Sequence, residues 1–171
     1  ADPYVAMEAL EFVDYGVIGE GELTNCDLAD ALENNRDKTE VDGIIFKQGD
    51  KFILNQARQD IANIDEITWP DNEGFNIEEY LEAPPAEFAG VNGSRMICMS
   101  GSRSCPFQCT FCFHTNGYKY RQRSLDDFFA ELDYMVTKYK VEYISLADEL
   151  FAPNFERAKE FCERIKKYNI K

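Results

Sequence analysis

The alternation of apolar and polar positions is clearest in the last third of the chain. Leu125, Phe128, Phe129, Leu132, Met135, Val136 and Tyr139 recur at i, i+3, i+4 and i+7, which predicts an amphipathic helix. Ser124-Leu125-Asp126-Asp127 precedes it in the form of a capping box: the Ser124 hydroxyl accepts from the free N–H groups and Asp127 reaches back. Arg95–Met99 and Val141–Leu146 read as short strands on either side. Phe155, Ala158, Phe161, Cys162 and Ile165 mark a second helix after Pro153. Strand, helix, strand, helix with such connections predicts parallel β/α units with right-handed crossovers. Asn169-Ile170 would begin a third strand just where the sequence stops at Lys171, so a fragment is expected.

Earlier segments follow other rhythms. Phe12–Ile18 is β-rich and runs into Gly19-Glu20-Gly21-Glu22; Leu23, Cys26, Ala29 and Leu32 then recur every third residue, as the apolar face of a helix ending in the charged stretch Glu33–Glu40. One strand and one helix cannot bury their own faces, so they read as the last unit of a larger α/β layer. Val41–Phe46 and Lys51–Asn55 flank Gln48-Gly49-Asp50 and predict a β-hairpin. Between Gln56 and Gly93, Trp69-Pro70-Asp71 and Ala83-Pro84-Pro85-Ala86 interrupt any long element, leaving an ordered linker with a short helix at Ile77–Leu81. The expected organisation is an α/β fold in three segments: 1–40, 41–93 and 94–171.

Composition narrows the function. A net charge of −14 and 44% apolar residues describe a globular chain that is a poor general binder of nucleic acid, because the phosphate backbone must be met by Lys and Arg. No apolar run approaches the roughly 18–20 residues that span a bilayer, and the N-terminus carries no basic-then-apolar leader. Of six cysteines, Cys105, Cys109 and Cys112 fall close together and Cys26, Cys98 and Cys162 are scattered. The scattered three read as small buried hydrophobes. Clustered thiols in a chain with intracellular, cytoplasmic character point to a metal or redox centre rather than a disulfide framework.

Cys105-Pro106-Phe107-Gln108-Cys109-Thr110-Phe111-Cys112 is a C-x3-C-x2-C triplet on the loop between Ser100 and Arg123. Three thiolates can hold three irons of a cubane cluster whose usual ligand set is four cysteines, leaving one iron open to a small molecule. Arg95, Arg103, Lys119, Arg121 and Arg123 make the window Ser94–Ser124 +5, with no acid in it. A positive surround lowers the cost of holding and reducing an anionic cluster. Two non-catalytic metal readings stand beside this one. Cys105, Cys109, Cys112 and His114 could form a Cys3His zinc site, or Cys98 could close the cluster of an electron carrier. Gly19-Glu20-Gly21 lacks the third glycine of a nucleotide loop and is flanked by acids that would repel a pyrophosphate.

The triplet, with aromatic Phe111 just before its last cysteine, resembles the signature of the radical S-adenosylmethionine superfamily. The segment Val17–Glu22 resembles the last strand and helix of the Rossmann-like cobalamin-binding domain of one branch. The hairpin, Trp69-Pro70, the helix entry Arg121–Ser124 and Ala147-Asp148-Glu149-Leu150-Phe151 are similar to that branch as well. The resemblance implies that 1–40 ends a cobalamin-type domain and that 94–171 opens a partial (β/α)6 radical barrel. It implies a [4Fe-4S] cluster on Cys105, Cys109 and Cys112, with S-adenosylmethionine chelating the open iron. One electron would cleave it to a 5′-deoxyadenosyl radical for methyl transfer, cyclisation or rearrangement of a small-molecule or cofactor-precursor substrate. Phe111 would pack near the adenine, and Asp148 and Glu149 would lie where the methionine amino group binds. A flavodoxin or ferredoxin is the implied electron donor. Cobalamin is a candidate cofactor, although the Asp-x-His-x-x-Gly axial-ligand motif is absent and His114 is the sole histidine.

Overall fold

Gly49, at φ +60°, turns the chain between β2 (Ile44–Gln48) and β3 (Lys51–Leu54), the two-residue geometry that suits a twisted hairpin. β1 (Tyr15–Val17) joins them, pairing antiparallel with β2 through Tyr15↔Phe46, Gly16↔Ile45 and Val17↔Ile44. The first predicted strand and the predicted hairpin therefore form one three-stranded sheet, ordered β1-β2-β3. The computed structural model describes Val5, Glu8 and residues 12–82, 95–112 and 117–170. The chain falls into two units, Ala1–Ala62 with Gln108–Tyr118, and Asn63–Phe107 with Lys119–Lys171.

In the first unit α1 (Gly21–Glu33) buries Thr24, Leu28 and Ala31, and these pack with Val41, Ile44 and Phe46. The face predicted from Leu23, Cys26, Ala29 and Leu32 is wrong: all four are exposed. A step of three residues falls about 60° short of a full helical turn, so the repeat winds around the helix until Leu23 and Leu32 lie on opposite sides. Thr24, Leu28 and Ala31 step by four and then three, which keeps them on one face. Arg58 ties this helix to the segment before β2: its Nε donates to Thr24 Oγ1 at 2.9 Å and to the Asp42 carbonyl at 3.4 Å, and its Nη2 to Asp27 at 2.5 Å. The acids flanking the Gly19 turn also have local work, since Glu20 Oε2 accepts from the Ile61 amide at 2.7 Å.

In the second unit β4 (Met96–Met99) and β7 (Tyr143–Leu146) pair in parallel from Met96↔Tyr143 to Met99↔Leu146, as predicted, with α3 (Leu125–Tyr139) between them in sequence. α3 buries Leu125, Phe128, Phe129, Leu132, Met135 and Tyr139. Phe128 meets Phe129 and Phe161 edge-on, with centroids 5.6 and 5.5 Å apart. The predicted short helix is α2 (Ile77–Glu82), whose Leu81 packs with Met135, Tyr139 and Val141.

Half of the predicted capping box forms. Ser124 Oγ accepts from the Asp127 amide at 3.1 Å. The Asp127 carboxylate does not reach back; it accepts from Arg123 Nε and from Trp69 Nε1. The Ser124 amide is taken instead by Asp65 Oδ1, at 2.7 Å and 59 residues away in sequence. Arg123 also pairs with the buried Glu131, so a charge inside the apolar stripe of α3 is neutralised rather than stranded.

α4 (Phe155–Ile165) begins at Asn154, whose side chain accepts from the Arg157 amide. Only Phe161 of its predicted face is buried; Phe155 is 77% exposed and Cys162 is exposed. No strand forms at Asn169-Ile170, and Ile170 packs against the aromatic cluster instead. Cys26, Cys98 and Cys162 are likewise surface residues rather than core. Cys26 faces away from the buried side of α1, and Cys98 is exposed on β4 although Met96 on the same face is buried. The predicted break at Ala83-Pro84-Pro85-Ala86 lies outside the described residues, and so does His114. Among the described residues no helix is long and apolar enough to cross a membrane.

Candidate functional site

Parallel strands direct the loops at their carboxyl ends to one edge of the sheet, where α/β folds place their ligands. Here those loops are Ser100–Ser104 after β4 and Ala147–Glu149 after β7. The Ala147 amide donates to the Met99 carbonyl at 3.0 Å and extends the pairing beyond the strands. Asp148 then clamps the opposite loop. Its two carboxylate oxygens accept from the Gly101 amide at 3.0 and 3.1 Å, and one accepts from Ser102 Oγ at 2.5 Å. The Gly101 carbonyl accepts from the Arg123 amide and from Arg157 Nη2, each at 3.0 Å. A Cβ at Gly101 would stand 3.0 Å from the Phe151 ring. A side chain there would need the Phe151 ring to give way by a few tenths of an ångström.

Beyond Gly101 the chain forms a short antiparallel ribbon, β5 (Ser102-Arg103) against β6 (Arg121-Gln122), that closes the base of the cysteine loop. Ser104 follows β5, fully buried and at φ +66°. Its hydroxyl accepts from Arg121 Nη2 at 3.0 Å.

Cys105, half-buried, belongs to the second unit, whereas the exposed Cys109 and Cys112 belong to the first. The Cys112 amide donates to the Cys109 carbonyl at 3.1 Å, so these two occupy a single tight turn. Phe111 within that turn is 92% exposed. Among the described residues no group of three His, Cys, Asp or Glu side chains is placed to hold a metal ion. The chemistry of the donor set nevertheless fits a cluster: three thiols on one continuous loop, none consumed in a disulfide and none shut away from solvent. Cys98, the alternative fourth thiol, is on β4 opposite Ser145. Glu149 is exposed at the carboxyl end of β7, next to the engaged Asp148.

Gly101, Ser102, Ser104, Arg121 and Arg157 complete this edge, and sequence reasoning missed the role of each. The Ser-Gly-Ser run after a strand was the one local sign that the backbone needed close approach there.

No family model matches the chain. It is 31% identical over 170 residues to an uncharacterized methyltransferase of Pyrococcus horikoshii, spanning 98% of this chain and 35% of that protein. It is 30% identical over 161 residues to the anaerobic magnesium-protoporphyrin IX monomethyl ester cyclase of Synechocystis sp., spanning 92% of this chain and 30% of that protein. Among solved structures, the radical S-adenosylmethionine methyltransferase TsrM from Kitasatospora setae, with tryptophan and a cofactor analogue bound, matches with a TM-score of 0.69 at 19% identity. That match covers 95% of this chain and 30% of TsrM. The chain is related in sequence to the methyltransferase and the cyclase, and it shares its fold with the matched part of TsrM. It is a mixed α/β chain spanning about a third of the length of the curated relatives it matches. The cobalamin-dependent radical enzyme OxsB, with aqua-cobalamin and S-adenosylmethionine bound, shares the fold with a TM-score of 0.57 at 24% identity, over 90% of this chain and 21% of OxsB.

Proposed function

We propose that this chain carries the cluster-binding portion of a radical S-adenosylmethionine enzyme acting in methyl transfer, cyclisation or rearrangement. The observation that carries the reading is the Cys105-Cys109-Cys112 loop leaving the carboxyl end of β4, beside a parallel partner strand, in a chain whose relatives are methyltransferases and cyclases. Cys105, Cys109 and Cys112 would hold a [4Fe-4S] cluster that, when bound, supplies the electron for reductive cleavage of S-adenosylmethionine to a 5′-deoxyadenosyl radical.

The chain's own residues bind and orient. Phe111 offers an exposed aromatic face for an adenine. Asp148 holds the Gly101 amide and Ser102, which sets the loop after β4 in place. Glu149, exposed at the carboxyl end of β7, would meet the methionine ammonium. Arg103, Lys119 and Arg121 would supply positive charge near an anionic centre, whereas Arg123 is already paired with Asp127 and Glu131. Two of the solved neighbours bind cobalamin. By that likeness cobalamin is a candidate second cofactor. The substrate would be a small molecule or cofactor precursor, and the donor a flavodoxin or ferredoxin. Six cysteines outside any disulfide suit a reducing, cytoplasmic setting.

Anaerobic reconstitution with iron and sulfide, followed by electron paramagnetic resonance of the reduced protein with and without S-adenosylmethionine, tests the reading. The expected result is a full cubane cluster whose spectrum shifts on adding the cofactor. A cluster with an indifferent spectrum that Cys98→Ala abolishes identifies a closed electron carrier. One tightly held zinc and no cluster defeats the proposal.

A further inference from the structure

Cys105 is reached through a residue in a conformation that non-glycine residues resist. At φ +66° the Cβ of Ser104 crowds its own carbonyl oxygen, and burial denies the hydroxyl any help from water. The hydroxyl is instead held by Arg121 Nη2 at 3.0 Å. Arg121 is itself buried, 6% exposed, and its Nε donates to the Lys119 carbonyl at 3.1 Å. One guanidinium thus spans the two chains entering and leaving the ribbon, directly before the first cysteine. A buried guanidinium is costly to place, and its fork delivers Nε and Nη2 in fixed directions that a lysine cannot reproduce.

We propose that Arg121, acting through the Ser104 hydroxyl, is a positioning residue that holds the left-handed backbone at Ser104 and so sets the direction in which Cys105 leaves the β5–β6 ribbon for cluster binding. The inference rests on the reading of Cys105 as a cluster thiol. It carries a specific consequence: glycine adopts positive φ unaided. With glycine at position 104 the left-handed backbone no longer depends on the arginine.

The experiment compares the whole chain with Arg121→Gln, Arg121→Lys, Ser104→Gly and the double variant Ser104→Gly/Arg121→Gln. Two quantities are read: iron bound after anaerobic reconstitution with iron and sulfide, and the alkylation rate of Cys105 by iodoacetamide in the iron-free reduced chain, with circular dichroism to register folding. Arg121→Gln is expected to lose most of its iron and to alter the Cys105 rate several-fold, and Arg121→Lys to do so in part. Ser104→Gly is expected to match wild type, and the double variant to regain both iron and rate. A double variant as impaired as Arg121→Gln assigns the arginine an ordinary packing role and overturns the proposal. So does an Arg121→Gln chain with wild-type iron and wild-type alkylation. A wild-type chain that takes up no iron removes the cluster reading alone. The alkylation series then decides the positioning: an unaltered Cys105 rate in Arg121→Gln overturns it, and an altered rate restored by Ser104→Gly upholds it.

Discussion

Gly43 in the first unit and Gly101 in the second both resist a side chain, for different reasons. Gly43 stands at φ +79°, and an added Cβ would lie 3.1 Å from Thr24 Oγ1 and 3.4 Å from the Ile18 carbonyl. Backbone conformation and space both demand glycine where the chain enters the antiparallel hairpin. Gly101 needs only space, against Phe151 and Arg157. In the first unit a glycine shapes a turn that lets neighbouring strands pair. In the second, close approach lets side chains from β7 and α4 reach a loop backbone: Asp148 and Arg157 saturate the Gly101 amide and carbonyl. The antiparallel unit is held by backbone pairing, and the carboxyl edge of the parallel unit by side chains bonded to backbone. A loop wired in that way can be set precisely by residues distant in sequence, which a binding site requires.

The comparison can be pressed hardest through the aromatic core that supports the parallel unit. Phe128→Ala empties a fully buried site between Phe129 and Phe161 and is expected to cost about 3–5 kcal/mol, measured by urea unfolding. The two glycines come next. Gly43→Ala should cost about 1–2 kcal/mol for its backbone conformation alone, with crowding against Thr24 added to that. Gly101→Ala should cost about 1–3 kcal/mol by overpacking. If Gly101→Ala proves as costly as Gly43→Ala, space weighs as much as conformation and the contrast between the units narrows. Ser124→Ala removes one helix-capping bond and should cost about 1 kcal/mol.

The smallest effect is a pH dependence. Burial, and then its hydrogen bond to Asp133, push the Tyr168 phenol up to about 12. A raised pKa means that the folded state keeps its proton where the unfolded chain has lost it. The stabilisation is therefore complete below the ordinary tyrosine value of 10.0 and is lost as pH rises toward 12. Tyr168→Phe should flatten the decline in melting temperature across that alkaline window, and an unchanged slope would remove this contribution.

The long helix α3, the hairpin with its Gly49 turn, the short helix α2 and the parallel pairing of β4 with β7 were all legible in the sequence. Each follows from local periodicity, turn chemistry or connection length. The thiol triplet was legible because its spacing on one loop is a purely local feature of the sequence. The face of α1 was not. Its apolar residues mark a repeat that does not match the helix, and a buried threonine held by Arg58 took the place that hydrophobicity assigned elsewhere. The reach-back half of the capping box failed because Asp127 found Arg123 and Trp69, while a residue 59 positions away answered the Ser124 amide.

What the sequence alone determined about this protein is therefore what nearby residues decide among themselves: helix periods, a hairpin turn, a capped helix start and a cysteine spacing suited to iron. Only the tertiary structure could show that Asp148 clamps Gly101 across 47 residues, that Arg121 holds Ser104 across 17, and that Glu131 is buried yet paired. Those contacts depend on which chain segments folding brings together. A carboxylate or guanidinium carries no local sign of the partner it will meet.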